Sequence, residues 1–474
     1  MTMDVIAESP SCWKASDLRG VYPEEISFDL FLRIGRAIGT MLGGRARVLL
    51  AGDFRLSTPL LKDALMHGLI GTGVDVIDAG QIPTPVAYFA ATAYKPDAVL
   101  IVTASHNPAE QNGLKLLFSG QPPTPDQLTH IRELSLSSTF PSGKGTLTSI
   151  APLGQYEQYM IERWKHLDPN ILPNLVLDAG NGAWSESAPR VFSALKFRTQ
   201  CLSCVIDGRF PDRPSDCSRP ANIFRLREQV RQQPNTLGIA WDGDGDRVAF
   251  VDETGHAVSA DQLSMLLARE LFISENTEET ENNWVVVDLK LASTVQKEVL
   301  RVGGLPLLER TGHAFMRTRM ISTRARLGLD ACGHFFFGEL QGADDGLFAA
   351  LLVLELLQRA QLPLSELLKG LPSIYGSPEL RIPLRLLTFK HAEDLLLGIF
   401  SDAIVDRLDG IQIVLPDGAI LLRESGTEAV LSLRIEGDTQ ARYEMLLALC
   451  LDLLPAARAC IESQLQEHLV PVER

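Results

Sequence analysis

Asp242-Gly243-Asp244-Gly245-Asp246-Arg247 sets three carboxylates at alternate positions with glycines between them. Such a run can converge on one cation, because glycine tolerates φ > 0 and lets the backbone fold tightly around it. Oxygen-only donors point to a hard ion, Mg²⁺ or Ca²⁺. A calcium loop of the EF-hand kind is the rival: with Asp242 as position 1, acids stand at 1, 3 and 5, and Glu253 at 12. Position 6 holds Arg247, however, where that loop's sharp turn needs glycine. The flanks LGIAW and VAFV also read as strands rather than helices. A solvated acidic turn is the plain alternative. Mg²⁺ is the better reading, and it keeps positions open for water or phosphate oxygens, so an anionic partner is expected.

That partner is expected from Thr103-Ala104-Ser105-His106-Asn107-Pro108, which follows the apolar run AVLIV. Ser105 lies where a strand gives way to a loop and a hydroxyl can be presented outward. Alone, the hexapeptide could be a polar turn stopped by Pro108, since Ser, Asn and Pro are common turn residues. Beside an acidic metal loop it reads as a nucleophile.

The elements that must position these loops alternate between strand and helix. Strands are expected at 47–52, 74–78 and 98–102, with helices at 58–71 and 85–94. A Pro-, Ser- and Gly-rich stretch, 120–145, interrupted by one helix, ends this unit. The pattern restarts with a strand at 174–178, a helix at 185–195 and a strand at 236–241, and again with a strand at 284–288. Short apolar runs separated by helices suggest parallel βαβ units. The strand-to-loop junctions near 52, 178 and 288 look alike, which hints at repeated α/β domains. The last quarter differs, with short strands at 379–386, 410–414, 419–422 and 429–435 in an α+β layer. An amphipathic helical pattern follows at 442–469. The expected domains are 1–150, 151–257, 258–370 and 371–474.

The bulk numbers agree with several domains, since 474 residues exceed what one core supports. A hydrophobic fraction of 45% and a charged fraction of 22% are ordinary for a soluble globular protein. A net charge of −15 with no strongly basic stretch argues against nucleic acid. No apolar run reaches the roughly 20 residues of a membrane span. The N-terminus has no apolar stretch of signal-peptide length, so a cytoplasmic protein is expected. The seven cysteines include one CxxC, Cys201 and Cys204, with no second pair nearby to complete a zinc site. Reduced thiols are expected. Residues 179–181 (AGN) resemble a dinucleotide turn weakly, and no GxGxxG follows.

Taken together, these residues resemble the α-D-phosphohexomutases, and within them the bacterial phosphomannomutase/phosphoglucomutase group. The similarity covers nearly the whole chain, in order. TASHNP is similar to that family's phosphoserine loop and DGDGDR to its metal loop. Arg310-Thr311-Gly312-His313 is similar to a sugar-binding loop, and Gly333-His334 to the end of the family's GExSGH sugar loop. Arg423-Glu424-Ser425-Gly426-Thr427-Glu428 resembles the phosphate-binding loop of the last domain.

The resemblance implies a four-domain enzyme, three similar α/β domains plus a C-terminal α+β domain around a central cleft, each contributing one loop. Ser105 would carry phosphate, with one Mg²⁺ held by it and by Asp242, Asp244 and Asp246. The enzyme would interconvert hexose 1-phosphate and hexose 6-phosphate of mannose or glucose through a 1,6-bisphosphate, which also serves as activator. Ser105, Lys115, His106 and Arg247 are the catalytic residues so implied. Arg19, Lys290, Thr311, Gly312, His313, Asp330, His334, Arg423, Ser425, Gly426 and Thr427 would bind substrate. Lys115 matches the family's general base, which requires a partly deprotonated amine. The plain alternative is a solvated lysine beside an Asn112-Gly113 turn. For Arg423 it is a hairpin between ILL and VLSLRI. A monomer or dimer is expected.

The chain also departs from the family. Leu329-Asp330-Ala331-Cys332-Gly333-His334 stands where GExSGH is usual, so Asp330 would replace a glutamate with a reach shorter by about 1.5 Å. A second register, Gly338-Glu339-Leu340-Gln341-Gly342, lacks the histidine. Ser16, Gly52 and Ala429 replace a tyrosine, an arginine and a proline. These changes bear on substrate preference more than on reaction type. Phosphoglucosamine mutase is the nearest competing activity, with a non-catalytic phosphosugar-binding relative and a calcium-binding protein as alternatives from other classes. The Thr311-Gly312-His313 loop favours mannose and glucose phosphates over glucosamine phosphate.

Overall fold

A computed structural model describes residues 12–273, 282–425 and 429–469. Four sheets follow one another along the chain. The first contains β1 (Leu18–Val21), β2 (Arg47–Gly52), β3 (Asp75–Gln81), β4 (Ala98–Val102), β5 (Gln111–Phe118) and β6 (Leu147–Ser149), in the order β1-β5-β4-β2-β3-β6. The second contains β7 (Asn174–Asp178), β8 (Thr199–Leu202), β9 (Thr236–Trp241) and β10 (Val248–Val251), in the order β10-β9-β7-β8. The third contains β11 (Trp284–Asp288), β12 (Leu305–Glu309), β13 (Leu327–Leu329), β14 (Phe335–Phe337) and β15 (Ala343–Asp344), in the order β12-β11-β13-β14-β15.

These three sheets share one winding. In each, a central strand (β2, β7, β11) is flanked by two parallel strands, the next in sequence on one side and the one after it on the other. An antiparallel strand (β5, β10, β14) then returns beside the third. The winding reverses at the central strand, and such a switch point opens a crevice at the carboxyl ends of the strands. Each central strand runs into an aspartate that accepts the backbone N–H two residues on. Asp53 accepts from Arg55 at 3.0 Å, Asp178 from Gly180 at 2.9 Å and Asp288 from Lys290 at 2.9 Å. These Asx turns stop the strand and steer the chain over the crevice. The expected likeness of the three junctions therefore has a physical basis.

The fourth sheet is antiparallel: β16 (Tyr375–Gly376), β17 (Leu380–Pro383), β18 (Ile404–Asp406), β19 (Ile411–Leu415), β20 (Gly418–Glu424) and β21 (Val430–Gly437), with β16 and β17 both on β21. Alternate residues Ile411, Ile413, Ile420, Leu422, Leu431, Leu433 and Ile435 are buried, as period-2 patterning requires. The helical pattern expected at 442–469 is two helices, Gln440–Leu453 and Arg458–Leu469, because Pro455 cannot continue the first.

One apolar cluster runs through the first three domains, from Leu49 and Val86 through Trp164 and Trp184 to Val285 and Phe348. The fourth domain has its own cluster, centred on Ile413, Leu422 and Leu433. Its contacts with the third domain include a row of polar ones: Lys290 to Glu379 at 3.2 Å, Ser293 N to Glu436 at 3.0 Å and Lys297 to Asp438 at 3.0 Å. None of the seven cysteines forms a disulfide. Among the described residues, no helix is long and apolar enough to cross a membrane.

Candidate active site

Topologically equivalent connections build the centre. The loops between β4 and β5, between β9 and β10, and between β13 and β14 carry Ser105, Asp242–Arg247 and Asp330–His334 respectively. All three leave the carboxyl end of a third strand, so the repeated winding brings them together.

Ser105 has φ 54°, the left-handed region that non-glycine residues seldom adopt. Its N–H donates to Thr103 Oγ1 at 2.8 Å, and its hydroxyl donates to Asp242 Oδ2 at 3.2 Å. The loop is held from beneath by Arg55, which sequence reasoning missed. Arg55 is wholly buried, and it donates to the carbonyls of Ser105 at 2.7 Å, Asn107 at 2.6 Å, Pro108 at 2.5 Å and Gln111 at 3.0 Å. Arg19 lies against the same loop, donating to Ala104 O and Asn107 Oδ1, both at 3.4 Å. His106 Nδ1 is 3.4 Å from Ser105 Oγ. Burial, with Arg247 and Arg19 adding to it, holds His106 well below its ordinary pKa, so the ring is neutral.

The acidic loop meets this one directly. A side chain on Gly243 would approach Ser105 O to 2.7 Å, and Ser215 Oγ donates to His106 O at 2.7 Å. Gly245, at φ 85°, lies under Trp184, whose Nε1 donates to Gly245 O at 2.7 Å. One oxygen from each of Asp242, Asp244 and Asp246 lies within 4.8 Å of the others. All three residues are buried, and among the described residues no well-formed hydrogen bond reaches Asp244 Oδ1 or Asp246 Oδ1. Burial, then the charges of Asp246 and Asp244, push the Asp242 carboxyl well above the usual carboxylate range. Three buried carboxylates, two of them with an unpaired oxygen, fit a hard divalent cation. The flanks are β9 and β10, so the helices of a calcium EF-hand are absent.

Lys115 does not fit the plain alternative of a solvated lysine beside a turn. Asn112 and Gly113 are not a turn but part of β5, and Lys115 is buried rather than solvated. Its Nζ donates to Asp244 Oδ2 at 2.7 Å and to Asp246 Oδ2. Burial works against the ammonium, but the Asp244 and Asp246 charges outweigh it and hold Lys115 well above its ordinary pKa. With Asp244 and Asp246 as its partners the amine is protonated. Thr84 braces the same carboxylate, donating from Oγ1 to Asp244 Oδ2 at 2.7 Å.

The third loop joins through His334. Arg247 Nε lies 3.2 Å from His334 Nε2, which is 3.3 Å from Asp246 Oδ1. Asp330 is buried and turned into its own loop, accepting the Cys332 N–H and facing His334 Nδ1 at 3.6 Å. Glu339, of the second register, lies on the outside, where it accepts from Tyr159 and Arg163.

Asp288 gathers the remaining sugar-loop residues, accepting from Thr311 Oγ1 at 2.6 Å, Lys290 N at 2.9 Å and Ala331 N at 3.3 Å. Burial and neighbouring Asp330 push its carboxyl up to about 6. Gly312, at φ 135°, caps the helix His313–Thr323, and His313 Nε2 is 3.0 Å from Asp344 Oδ1. Lys290 Nζ donates to Cys332 Sγ at 3.2 Å as well as to Glu379. Arg423 ends β20 against Asp409, and Ser425 N donates to Val430 O at 2.9 Å. Gly426 and Thr427 lie outside the described residues. The structure therefore gathers Ser105, His106, Lys115, the three aspartates, Arg247, Arg19 and His334 into one cluster. Lys290, Thr311, Asp330 and Arg423 form a second along the boundary of the third and fourth domains.

The comparisons accord with this layout. Four family models match in chain order. They are phosphoglucomutase/phosphomannomutase alpha/beta/alpha domain I at residues 12–141, domain II at 163–255, domain III at 259–375 and the C-terminal domain at 390–450. The phosphomannomutase/phosphoglucomutase of Pseudomonas aeruginosa is 32% identical over 448 residues, covering 92% of this chain and 94% of that one. A phosphoglucomutase of Neisseria gonorrhoeae is 32% identical over 443 residues, with coverage of 92% and 94%. A crystal structure of a phosphoglucomutase/phosphomannomutase family protein from Burkholderia thailandensis superposes with a TM-score of 0.82 at 32% identity, covering 96% of this chain and 98% of that one. Matched domain by domain and along nearly its whole length, the chain belongs to the phosphoglucomutase/phosphomannomutase family, the α-D-phosphohexomutases.

Proposed function

We propose that this protein is a hexose-phosphate mutase that interconverts the 1- and 6-phosphates of glucose or mannose, with Ser105 as the phosphoryl carrier. The observation that carries this reading is the contact of Ser105 Oγ with Asp242 Oδ2 at 3.2 Å, inside a triad of buried carboxylates. A serine hydroxyl so placed has no structural need of three acids beside it. Phosphoryl transfer, which rests on positioning and charge neutralisation, does.

Asp242, Asp244 and Asp246, with a phosphate on Ser105, would hold one Mg²⁺. When bound it neutralises phosphoryl charge as that charge shifts in the transition state. The chain's own residues account for the rest. Arg55 fixes the loop, so the Ser105 oxygen is presented at one angle. Arg247 and Arg19 supply permanent positive charge near the phosphoserine. Neutral His106 lies beside the hydroxyl without adding to the charge. Lys115 can accept a proton from the attacking sugar hydroxyl only once other positive charge takes over Asp244 and Asp246. Asp330, folded back, orients His334 rather than reaching for the sugar, which leaves Lys290, Thr311 and His313 to read sugar hydroxyls. Arg423, with Ser425, Gly426 and Thr427, would hold the phosphate that is not transferred. The hexose 1,6-bisphosphate formed midway would turn over in the cleft and return its other phosphate to Ser105. The same bisphosphate, added in trace, would restore phosphate to a serine that has lost it.

The test is an assay on glucose 1-phosphate, mannose 1-phosphate and glucosamine 1-phosphate, each with trace bisphosphate, paired with intact-mass measurement. The expected result is turnover of the glucose or mannose ester and a phosphate adduct that Ser105→Ala lacks. Preference for glucosamine 1-phosphate would reassign the sugar. Full activity in Ser105→Ala would remove the proposal.

A further inference from the structure

Beside the all-oxygen triad lies a second cluster of different chemistry. Asp246, His313 and Asp344 each offer a ligand atom within 4.8 Å of the others. His334 stands at their edge. His313 Nε2 is 3.0 Å from Asp344 Oδ1, and His334 Nε2 is 3.3 Å from Asp246 Oδ1 and 3.9 Å from Asp344 Oδ2. The three come from separate segments: the acidic loop, the first turn of the helix His313–Thr323, and β15.

Hydrogen bonding leaves this cluster incomplete. Asp246 and Asp344 are wholly buried, yet among the described residues no well-formed hydrogen bond reaches Asp246 Oδ1 or Asp344 Oδ2. What faces them is the His334 ring nitrogen, ion-paired with Asp246 at 3.3 Å and 3.9 Å from Asp344. A buried carboxylate oxygen without a donor is costly. Both oxygens face one imidazole, that of His334, while His313 faces the other oxygen of Asp344, and one cation between the two carboxylates and the two rings satisfies all four groups. In a tetrahedral site with bonds of about 2.0–2.2 Å, donor atoms are roughly 3.3–3.6 Å apart. Here one donor atom each from Asp246, His313 and Asp344 lies within 4.8 Å of the others, and His334 Nε2 is 3.3 Å from Asp246 Oδ1, so the side chains draw inward to share one ion. His313 is part-exposed, so the cluster is open to solvent on one side.

We propose that Asp246, Asp344, His313 and His334 form a second cation site, selective for a borderline transition ion such as Zn²⁺ or Co²⁺. Imidazole donors favour these ions, whereas the neighbouring all-oxygen triad suits Mg²⁺. Asp246 belongs to both sites; its Oδ2 accepts from Lys115 and its Oδ1 faces His334. An ion here ties the His313 loop to the acidic loop. Occupancy therefore takes up the His313 imidazole that would otherwise meet a sugar in the cleft, and the ion acts as an inhibitor distinct from Mg²⁺. The site itself does not depend on the mutase reading.

The experiment is calorimetric titration of Zn²⁺ into the purified full chain with Mg²⁺ in large excess, alongside visible absorption of the Co²⁺-loaded protein. The expected result is one Zn²⁺ per chain that Mg²⁺ does not displace, with intense Co²⁺ bands of low-symmetry nitrogen coordination. Zn²⁺ affinity should fall at least about tenfold in both His313→Ala and Asp344→Asn, with folding checked by circular dichroism. Asp244→Asn, which alters the triad but none of the four proposed donors, should keep Zn²⁺ binding. Zn²⁺ displaced by Mg²⁺ in simple competition, or affinity unchanged in both variants, would overturn the site. If neither variant folds, X-ray absorption of the Zn²⁺-loaded wild type decides: nitrogen donors support the site, and oxygen donors alone overturn it.

Discussion

Arg423 donates from Nε to Asp409 Oδ2 at 2.7 Å. The same oxygen accepts the backbone N–H of Thr311 at 3.2 Å, so one carboxylate joins the proposed phosphate arginine to the loop before His313. A phosphate arriving at Arg423 must compete with this carboxylate. Asp409→Asn keeps an oxygen for Thr311 but removes the charge, and should lower KM for the 1- and 6-phosphate substrates alike. The difference between a charge-assisted and a neutral hydrogen bond is about 1 kcal/mol, so a roughly fivefold fall is expected. Steady-state kinetics in both directions measure it, and a rise in KM would show that Asp409 positions Arg423 instead of restraining it.

Arg423→Ala should do the opposite. Losing a charge-assisted phosphate contact costs about 1.5–3 kcal/mol, or roughly tenfold to a hundredfold in KM for both substrates. Bisphosphate should also escape more often, read as a steeper dependence on added bisphosphate. An effect confined to one direction would rule out a phosphate site shared by both orientations of the sugar.

Lys115 balances two buried carboxylates, so its removal should matter most without divalent ions. In EDTA, Lys115→Met should lose about 3–5 kcal/mol of stability, the usual consequence of leaving buried charge unpaired. Excess Mg²⁺ should recover much of this loss, because the ion takes over Asp244 and Asp246. Urea unfolding under both conditions is the check; an equal loss in each would mean that Lys115 serves packing rather than charge.

Arg55 spans four carbonyls with a planar fork that an ammonium cannot reproduce. Arg55→Lys should therefore lower kcat while KM changes little, because the Ser105 oxygen loses its fixed position. A small misplacement of a reacting group can cost on the order of a hundredfold. Intact mass during turnover should show slower gain and loss of phosphate on Ser105. A variant with normal kcat would assign Arg55 to stability alone.

Asp244→Asn exchanges one of three carboxylates for a neutral amide, so Mg²⁺ affinity and activity should fall together. Titrating activity against Mg²⁺ gives both numbers. Calcium should support turnover poorly in the wild type, since its looser coordination places phosphate oxygens less strictly. Equal turnover with Ca²⁺ would argue against the hard, tight site described above.

Residues whose chemistry is local were legible in the sequence. The acidic loop and the serine loop announce themselves by residue type and spacing, and the strands before them are unbroken apolar runs. Residues that act across the fold were not. Arg55 and Thr84 look like ordinary residues near a strand end and a helix start. Only the return of β5 beneath the Ser105 loop, and the meeting of the first two domains, give them partners. Lys115 is recognisable in the sequence, but its partners are not, because nothing in the order of residues shows that two aspartates 129 and 131 positions away face its amine. Asp330 was read by reach alone, and the fold turned it toward His334. The strand β5 itself went unread, because an Asn-Gly pair inside it has the look of a turn.

The separate apolar cluster of the fourth domain has a thermodynamic consequence. Water and salt weaken ion pairs and exposed hydrogen bonds far more readily than they weaken a continuous apolar interior. The first three domains share such an interior, whereas the fourth meets them through contacts such as Lys290–Glu379 and Lys297–Asp438. The chain is therefore built from two cooperative blocks of unequal size. Calorimetry should resolve a smaller melting transition for residues beyond about 371, moving to lower temperature as salt is raised while the larger transition holds its place. A phosphosugar that bridges the blocks would draw the two transitions together.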